Sequence, residues 1–327
     1  MSIVKLSNAK VFDCQSEQTL LVAARMQGIA LEHSCRTGRC GVCKARVLAG
    51  VTEPLQVEDS LTQDERSRGI ILTCCRTAVT DIELDIEDLG ELGNVEVKTL
   101  PCRIHALHML SDDVVEVALR LPPTSPLHYL PGQYIDIIKG GIRRSYSIAN
   151  APRDDGRIIL QIRKVPDGEM SRYWFEEAKE NDLLRLEGPL GTFCLRQTQV
   201  SQLVLLATGT GIAPIKAILQ QLAKSAGVNT YRKIHVYWGG RVEKDLYWTP
   251  DFPEFDMNYV SVLSRSLNSS GAQGYVQDAV IAAGINLQDA VVYACGSESM
   301  IESARNKLIA AGLGPENFHS DAFVSSN

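Results

Sequence analysis

The pattern of hydrophobic and polar positions divides the chain into three stretches with different periodicities. Up to about residue 93 the runs are short and alternating, with one helical pattern over residues 18–27 that stops at Gly28. Short strands separated by turn residues follow to about residue 198, which predicts an antiparallel barrel. From residue 199 onward apolar strands alternate with helices, which predicts a parallel, doubly wound sheet.

These patterns predict domains at 1–93, 98–198 and 199–327, with a linker over residues 89–101. In the first domain we expect strands over 3–6, 10–12 and 80–87. In the second we expect strands over 114–121, 134–138, 144–148, 157–163 and 183–187, and a helical run over 168–178. In the third we expect strands over 202–207, 234–238, 259–263 and 290–294, with a helix that runs from the first strand's turn to Ala226.

Composition and charge narrow the possible functions. The 327 residues carry a net charge of -6, so no basic footprint for nucleic acid or anionic membrane is present. No apolar run approaches membrane-spanning length and the N-terminus lacks a secretory pattern, so we expect a cytoplasmic protein without membrane insertion. Nine cysteines, an odd number, argue against a disulfide framework.

Five of the cysteines cluster between residues 35 and 75, which indicates a metal centre. Cys35-x4-Cys40-x2-Cys43 has the spacing of plant-type [2Fe-2S] ferredoxins, and a fourth thiolate is available at Cys74 or Cys75. A structural zinc site is the competing interpretation, but four-cysteine zinc sites usually come as two short-spaced pairs. The spacing therefore favours an iron–sulfur cluster.

Arg144-x-Tyr146-Ser147, on a predicted strand, suits a flavin. An arginine can hold a diphosphate, a tyrosine can lie against the isoalloxazine ring, and a serine hydroxyl can reach a ring nitrogen. A flavin links a hydride donor to a one-electron centre, since it accepts two electrons together and releases them singly. The alternative is that this segment is only an amphipathic strand.

Three further segments suit phosphate or nicotinamide. Gly168 and Ser171 open the helical run, where amides could meet a diphosphate, although an ordinary turn and N-cap would look the same. Gly209-Thr210-Gly211, followed by Pro214, forms a glycine-rich turn between a strand and a helix. Cys295, before Gly296, ends a later strand and is either a thiol beside a nicotinamide or a small buried hydrophobe.

Together these motifs resemble the ferredoxin-NADP reductase superfamily, in the arrangement of its iron–sulfur flavoprotein reductases. Gly188-Pro189-x-Gly191-Thr192-Phe193 and the ending Ser320-Asp321-Ala322-Phe323 belong to the same resemblance, and the CDP-6-deoxy-Δ3,4-glucoseen reductases are similar over most of these segments. The resemblance implies a multidomain fold: a β-grasp plant-type ferredoxin domain, an antiparallel β-barrel FAD domain and a Rossmann-like parallel α/β NAD(P) domain. The implied cofactors are FAD, a [2Fe-2S] cluster and NADPH or NADH.

The resemblance also implies roles for single residues. Cys74, in a Leu-Thr-Cys segment, would complete the ligand set with Cys35, Cys40 and Cys43. Arg144, Gly168 and Ser171 would contact the FAD diphosphate. Tyr146 and Ser147 would contact the flavin ring, and Phe323 would cover it. The nicotinamide dinucleotide would meet Gly209, Thr210, Gly211, Pro214, Cys295 and Gly296. Tyr146, Ser147 and Cys295 are the candidate catalytic residues.

Ser264, Arg265 and Tyr275 are similar to residues that grip the NADPH 2′-phosphate in plant-type reductases, which favours NADPH, whereas the sugar reductases are usually described as using NADH. The alternative is that Arg265 is a solvated loop charge. The implied partner is a one-electron-accepting protein: a PMP-dependent CDP-4-keto-6-deoxyglucose 3-dehydrase of 3,6-dideoxyhexose (O-antigen) synthesis, or an oxygenase component of the Rieske or di-iron class. A redox sensor or electron-storage protein is the alternative from another class.

Overall fold

The computed structural model of the protein describes residues 1–90, 92, 95–225, 231–265 and 271–323. The chain divides into two compact units, Met1–Glu96 and Val97–Asn327. The predicted helix end at Ala226 and the predicted domain boundary at residue 93 lie outside the described residues. None of the helices in the described part of the chain combines the length and the apolar character needed to cross a membrane.

The first unit is a β-grasp sheet. Its elements are β1 (Ser2–Leu6), β2 (Val11–Cys14), α1 (Leu20–Met26), β3 (Lys44–Ala49), β4 (Thr52–Pro54), α2 (Gln63–Ser67), β5 (Ile70–Leu72), β6 (Arg76–Ala78) and β7 (Ile82–Leu84). The sheet order is β2-β1-β7-β3-β5, in which β1 and β7 run parallel and the other neighbours antiparallel; β4 and β6 form a separate pair. The predicted strand over 80–87 is therefore real but shorter, and it lies inside the sheet.

Helix α1 covers this sheet because its apolar residues repeat at helical spacing. Thr19 caps the helix by accepting a hydrogen bond from the Val22 amide, and Leu20, Leu21, Ala23 and Ala24 are buried. Full burial of a leucine side chain such as Leu20 contributes about 1.5–3 kcal/mol. The helix fixes the chain just before the cysteine-bearing loop at residues 35–43.

The second unit begins with a barrel. Its elements are β8 (Lys98–Ser111), β9 (Val114–Arg120), β10 (Tyr134–Lys139), β11 (Ile142–Ser147), β12 (Ile158–Arg163), α3 (Glu169–Arg172) and β13 (Leu183–Leu190). The antiparallel order is β11-β10-β13-β8-β9-β12, and an Ile148↔Leu160 bridge joins the two outer strands. The predicted linker over 89–101 is wrong in its last part, since residues 98–101 begin β8 and pair with β13. The predicted helical run is short, and residues Tyr173–Glu177 continue it as one π-helical turn.

The hairpin of β10 and β11 turns on two glycines. Lys139 pairs with Ile142, which leaves only Gly140 and Gly141 in the turn, with φ of 58° and 86°. Two positive φ angles in succession are the requirement of a type I′ turn, whose twist matches that of the flanking strands. This turn sets the register of β11, the strand that carries Arg144, Tyr146 and Ser147.

The remainder of the second unit is a parallel sheet flanked by helices. Its elements are β14 (Gln202–Thr208), α4 (Ile212–Lys224), β15 (Lys233–Gly240), β16 (Met257–Leu263), β17 (Ala272–Gln273), α5 (Val276–Ala282), β18 (Ala290–Gly296), α6 (Glu298–Ala310) and β19 (Phe318–Ala322). The order is β17-β16-β15-β14-β18-β19 and every neighbouring pair runs parallel. The strand order reverses around β14, so the crevice where open α/β sheets bind ligands lies at its carboxyl end.

Candidate functional site

The four predicted thiol ligands come together in two pairs. Cys43 Sγ lies 3.1 Å from Cys74 Sγ. The Cys35 sulfur is in contact with the Cys40 thiol and accepts hydrogen bonds from the amides of Thr37 and Cys40, each at 3.4 Å. The Cys40 contact, together with the Thr37 hydrogen bonds, lowers the pKa of Cys35 to about 4. A lowered pKa favours the thiolate, the form that binds metal.

Two pairs of thiols suit a [2Fe-2S] cluster, in which four cysteines serve two irons. Amide donors at the Cys35 sulfur add to the fit, because hydrogen bonds to ligand sulfurs help to set the potential of such a cluster. The neighbouring Cys75 is oriented differently: its thiol donates to the Val57 carbonyl oxygen at 3.4 Å.

A buried carboxylate supports the fourth-ligand turn. Glu58, whose side chain is 2% exposed, forms ion pairs of 3.1 Å with Arg66 and Arg76. It also accepts a hydrogen bond from the Leu72 amide at 3.0 Å. Leu72 and Arg76 flank residues 73–75, so one carboxylate holds both ends of the segment that carries Cys74. The sequence patterns did not indicate this residue.

Strand β11 places Arg144 and Tyr146 on one face, as the two-residue period of a strand requires. The Tyr146 hydroxyl accepts a hydrogen bond of 2.9 Å from Trp174 Nε1, and the two rings meet edge to face at 6.1 Å. Burial raises the pKa of Tyr146 to about 12, so the phenol stays neutral. Arg144 is half-buried and donates to the Arg143 carbonyl oxygen at 2.8 Å. Trp174, which positions the tyrosine ring, was missed because only the folded chain brings it to β11.

On the other face of β11, Arg143 links this strand to its neighbours in the barrel. Its guanidinium forms ion pairs of 3.0 Å with Asp136, which is buried, and with Glu187. These two carboxylates raise the pKa of Arg143, Glu187 being the larger influence. Ser147, at the end of the strand, is buried and pairs with Tyr134 of β10. Arg143 is thus held by two carboxylates on the exposed side of the strand, whereas Arg144 forms no ion pair with either of them.

Gly168 and Ser171 lie at the start of α3, as expected for a turn. The Ser171 hydroxyl oxygen accepts a hydrogen bond from the Val165 amide at 2.9 Å and is buried. Gly168 is the N-cap position, without a side-chain cap. Residues 168–171 thus form an ordinary turn and helix start, which was the alternative interpretation of this segment. The Ser171 hydroxyl can still donate its own hydrogen to a further acceptor.

The glycine-rich turn at the end of β14 faces a cation from the barrel. Residues Gly209–Gly211 form a 3-10 turn that leads into α4, and Trp238 Nε1 donates to the Gly209 carbonyl at 2.9 Å. Gly209 has a φ of 54°, and a Cβ at this position would lie 2.7 Å from Arg163 Nη1. Arg163 belongs to β12 and pairs with Asp113 at 2.9 Å. Arg163 was missed, since nothing in its local sequence distinguishes it from a surface strand arginine.

Cys295 also lies against this turn, since a Cβ at Gly211 would stand 2.2 Å from its carbonyl oxygen. Cys295, near the end of β18, is fully buried, and burial raises the pKa of its thiol well above the usual value. Its strand partner is Asp321 of β19, also buried. The Phe323 amide donates to the Gly296 carbonyl at 2.8 Å, and its side chain is 38% exposed. The structure therefore brings Cys295, Gly296 and Phe323 to one edge of the sheet, with the thiol packed inward.

Ser264 and Arg265 follow β16 at the carboxyl edge of the sheet. Both are exposed, and their amides donate to the carbonyls of Gly240 and Arg241 at 3.0 Å and 2.9 Å. Arg241, which follows β15, is also exposed, so two arginines stand on neighbouring strand ends. Tyr275 is the N-cap residue of α5 and is 63% exposed. An exposed pair of guanidiniums is suitable chemistry for a phosphate.

Comparison with known protein families divides the chain in the same sense. Residues 4–80 match a 2Fe-2S iron-sulfur cluster binding domain. Residues 101–194 match an oxidoreductase FAD-binding domain. Residues 205–306 match an oxidoreductase NAD-binding domain.

Individual relatives extend over nearly the whole chain. The CDP-6-deoxy-L-threo-D-glycero-4-hexulose-3-dehydrase reductase of Yersinia pestis is 42% identical, covering 97% of this chain and 96% of its own. The terephthalate 1,2-dioxygenase reductase component 1 of a Comamonas species is 34% identical, covering 96% and 95%. The crystal structure of the Amycolatopsis cytochrome P450 reductase GcoB is similar with a TM-score of 0.79 at 26% identity, covering 99% of both chains.

Proposed function

Because this chain belongs to the iron–sulfur flavoprotein reductases of the ferredoxin-NADP reductase superfamily, we propose that it supplies single electrons to a CDP-hexulose dehydrase. It is an oxidoreductase with cluster, FAD and NAD binding domains on one chain. When bound, FAD would supply hydride acceptance from a nicotinamide and release of single electrons, and a [2Fe-2S] cluster would relay those electrons to a protein acceptor. The task of the chain's own residues is to bind and orient these groups.

For the flavin, Arg144 would hold the diphosphate, with Gly168 and Ser171 at the start of α3 adding an amide and a hydroxyl. Tyr146 would lie against the ring, its phenol oxygen held by the hydrogen bond from Trp174. Ser147 would hydrogen-bond near the reactive ring nitrogen. A buried hydroxyl and a neutral phenol suit this role, since neither brings a charge to the ring.

For the nicotinamide dinucleotide, the turn Gly209, Thr210 and Gly211 would take the diphosphate, with Pro214 in the first turn of α4. Arg163 would add a positive charge from the barrel side, since its guanidinium already lies against Gly209. Cys295, Gly296 and Phe323 would bound the nicotinamide pocket. Ser264, Arg265 and Tyr275 would hold the 2′-phosphate, which favours NADPH.

For the cluster, Cys35 and Cys40 would hold one iron, and Cys43 and Cys74 the other. The 3.1 Å separation of the Cys43 and Cys74 sulfurs supports this choice of fourth ligand, as does the contact of the Cys75 thiol with Val57 instead.

The dehydrase partner rests on one observation: 42% identity, over 97% of this chain, to a reductase named for such a dehydrase. An oxygenase component is the second candidate, since a terephthalate dioxygenase reductase is 34% identical over 96% of the chain. Reconstitution discriminates the two. Under NADPH, the purified reductase should support turnover by the 3-dehydrase and give no product with the dioxygenase; the reverse result would assign the oxygenase role.

The electron-transfer function itself is tested by anaerobic titration of the purified protein with NADPH and, separately, with NADH. We expect prompt bleaching of the overlapping flavin and iron–sulfur bands, with NADPH effective at the lower concentration. Bands that ignore both nucleotides would contradict the hydride step and favour a redox sensor. Tighter action of NADH would contradict the phosphate assignment alone.

A further inference from the structure

Two adjacent thiols reach the fourth-ligand position of the cluster. Residues 73–75 form a turn between β5 and β6, and in a turn neighbouring side chains need not alternate as they do on a strand. Cys74 Sγ and Cys75 Sγ are therefore only 3.5 Å apart, and both side chains are buried in the first unit. Cys74 Sγ faces Cys43, at 3.1 Å. The surroundings of the two thiols must therefore determine which sulfur would bind iron.

The segment 55–57, which we name the strap, forms hydrogen bonds with both Cys74 and Cys75. The Leu55 and Gln56 amides donate to the Cys75 carbonyl oxygen at 2.8 Å and 3.3 Å. The Gln56 side-chain amide donates to the carbonyl oxygens of Cys74 and of Arg36, so the strap joins the fourth-ligand turn to the loop that carries the other three ligands. The Val57 carbonyl oxygen accepts the hydrogen of the Cys75 thiol at 3.4 Å.

Gly38 keeps the strap against the cysteine loop. A Cβ at Gly38 would lie 2.2 Å from the Val57 carbonyl oxygen and 2.8 Å from Cys75 Sγ, so no larger residue permits this approach. The carbonyl that accepts from the Cys75 thiol therefore lies directly against the Gly38 backbone. The Val57 contact therefore directs the Cys75 thiol towards the strap, whereas Cys74 Sγ faces Cys43.

We propose that Cys75 is a reserve ligand of the cluster, held off by the Val57 carbonyl and able to replace Cys74. In the exchange the iron bond to the Cys74 sulfur would break and one to the Cys75 sulfur would form; the Cys75 proton would pass to the released Cys74 thiolate, 3.5 Å away, and no electron would move. Rotation about one side-chain bond between staggered positions carries a cysteine sulfur about 3 Å, close to the separation of the two thiols. This proposal rests on the ligand set Cys35, Cys40, Cys43 and Cys74.

The test uses the full-length holoprotein with Cys74→Ala, Cys75→Ala, the double variant and Cys43→Ala. Iron and sulfide are measured per bound FAD, and the reduced cluster is examined by electron paramagnetic resonance. We expect Cys75→Ala to keep the wild-type spectrum. Cys74→Ala should keep most of its iron with a shifted spectrum, whereas the double variant and Cys43→Ala should lose nearly all of it.

Each contrary result has a distinct meaning. A Cys74→Ala protein without iron, or with iron no greater than in the double variant, would overturn the reserve role. A shifted spectrum in Cys75→Ala would show that Cys75 already binds iron and would also overturn it. Retention of the cluster by Cys43→Ala would instead refute the proposed ligand set. Bound FAD and NADPH–ferricyanide activity show in each case that the second unit has folded, and thermal unfolding followed by circular dichroism, compared with the wild type, reports on the first unit, which carries the substitutions. Should Cys74→Ala not accumulate, Cys74→Ser subjected to the same measurements decides the question, because a serine oxygen ligand and a cysteine ligand give different spectra.

Discussion

Arg163 of the barrel and Gly209 of the nucleotide turn lie so close that a Cβ on Gly209 would stand 2.7 Å from Arg163 Nη1. Forty-six positions of sequence separate them, and they belong to the FAD-binding and NAD-binding matches respectively. Their contact places a positive charge beside the turn that we propose holds the nucleotide diphosphate. It also leaves little room for a side chain at residue 209.

Gly209→Ala should raise the KM for NADPH while leaving FAD bound. The new methyl group must displace the Arg163 guanidinium or the turn, and a φ of 54° costs an alanine about 1–2 kcal/mol. We expect an increase of about tenfold or more in KM, measured by ferricyanide reduction. Gly284→Ala is the matched control: its φ is 63° and nothing lies within 4 Å of the added Cβ. An equal change of KM in both variants would mean that backbone strain, rather than the Arg163 contact, is responsible.

Arg265→Ala should raise the KM for NADPH far more than that for NADH. A hydrogen bond to a charged group contributes about 1.5–3 kcal/mol, so the ratio of the two KM values should change about 10- to 100-fold. Arg120→Ala, at an exposed arginine of the barrel, should leave the ratio unchanged. If Arg265→Ala also leaves it unchanged, Arg265 is only a solvated loop charge.

Cys40→Ser should abolish cytochrome c reduction and spare ferricyanide reduction, because ferricyanide can take electrons from the flavin and cytochrome c depends on the cluster. Cys14→Ser alters a buried thiol of the same unit that lies outside the proposed ligand set, and it should preserve both activities. Equal loss of both activities in Cys40→Ser, with FAD still bound, would sink the proposed order of electron transfer.

Cys295→Ser should lower kcat for ferricyanide reduction by about 10- to 100-fold, the size of a positioning effect, without loss of FAD. Cys102→Ser provides the comparison, since Cys102 is also a buried thiol whose pKa is raised by burial. If both variants lose thermal stability and neither loses kcat, Cys295 serves only to pack the β18 core.

The second unit should lose stability as the pH falls below about 6.5, the ordinary pKa of histidine. Burial, with a smaller contribution from Lys233, lowers the pKa of His235, so the unfolded chain takes up a proton that the folded chain refuses. The free energy of unfolding therefore decreases towards acid. His235→Gln should reduce this decrease, measured by urea unfolding between pH 7.5 and 5. An identical acid dependence in the variant would exclude His235 as a contributor.

Much of the fold was predictable because its strands carry regular patterns. The predicted strand over 134–138 matches β10, and that over 202–207 matches β14, each to within one residue. Strand β8 was missed because Pro101 near its start resembles a linker. Strand β19 was missed because Phe318–Ala322 carries buried His319, Ser320 and Asp321, whose environment comes from β18 rather than from any local alternation.

The site shows the same division. The cysteine spacing and the Arg144-x-Tyr146-Ser147 motif consist of residues close together in the chain, so they could be recognised from the amino-acid sequence. Trp174, Glu58 and Arg163 act through contacts with residues far away in the sequence, and their neighbours in the chain carry no sign of it. For the same reason, spacing alone left both Cys74 and Cys75 open, and the choice of Cys74 came from the Leu-Thr-Cys resemblance. In the structure the two thiols have different neighbours, Cys43 for Cys74 and the Val57 carbonyl oxygen for Cys75.

The length of the two-glycine turn between β10 and β11 determines which side chains of β11 lie on each face of the strand. Arg143 and Arg144 point to opposite faces of β11; Arg143 is bound to Asp136, and Arg144 is the residue that we propose holds the FAD diphosphate. Removing or adding a single residue at Gly140-Gly141 would shift β11 by one position and exchange the faces of every side chain on it. Arg144 would then meet the barrel acids, and the tyrosine would leave Trp174. Substitutions within the turn should therefore be tolerated far better than any change in its length.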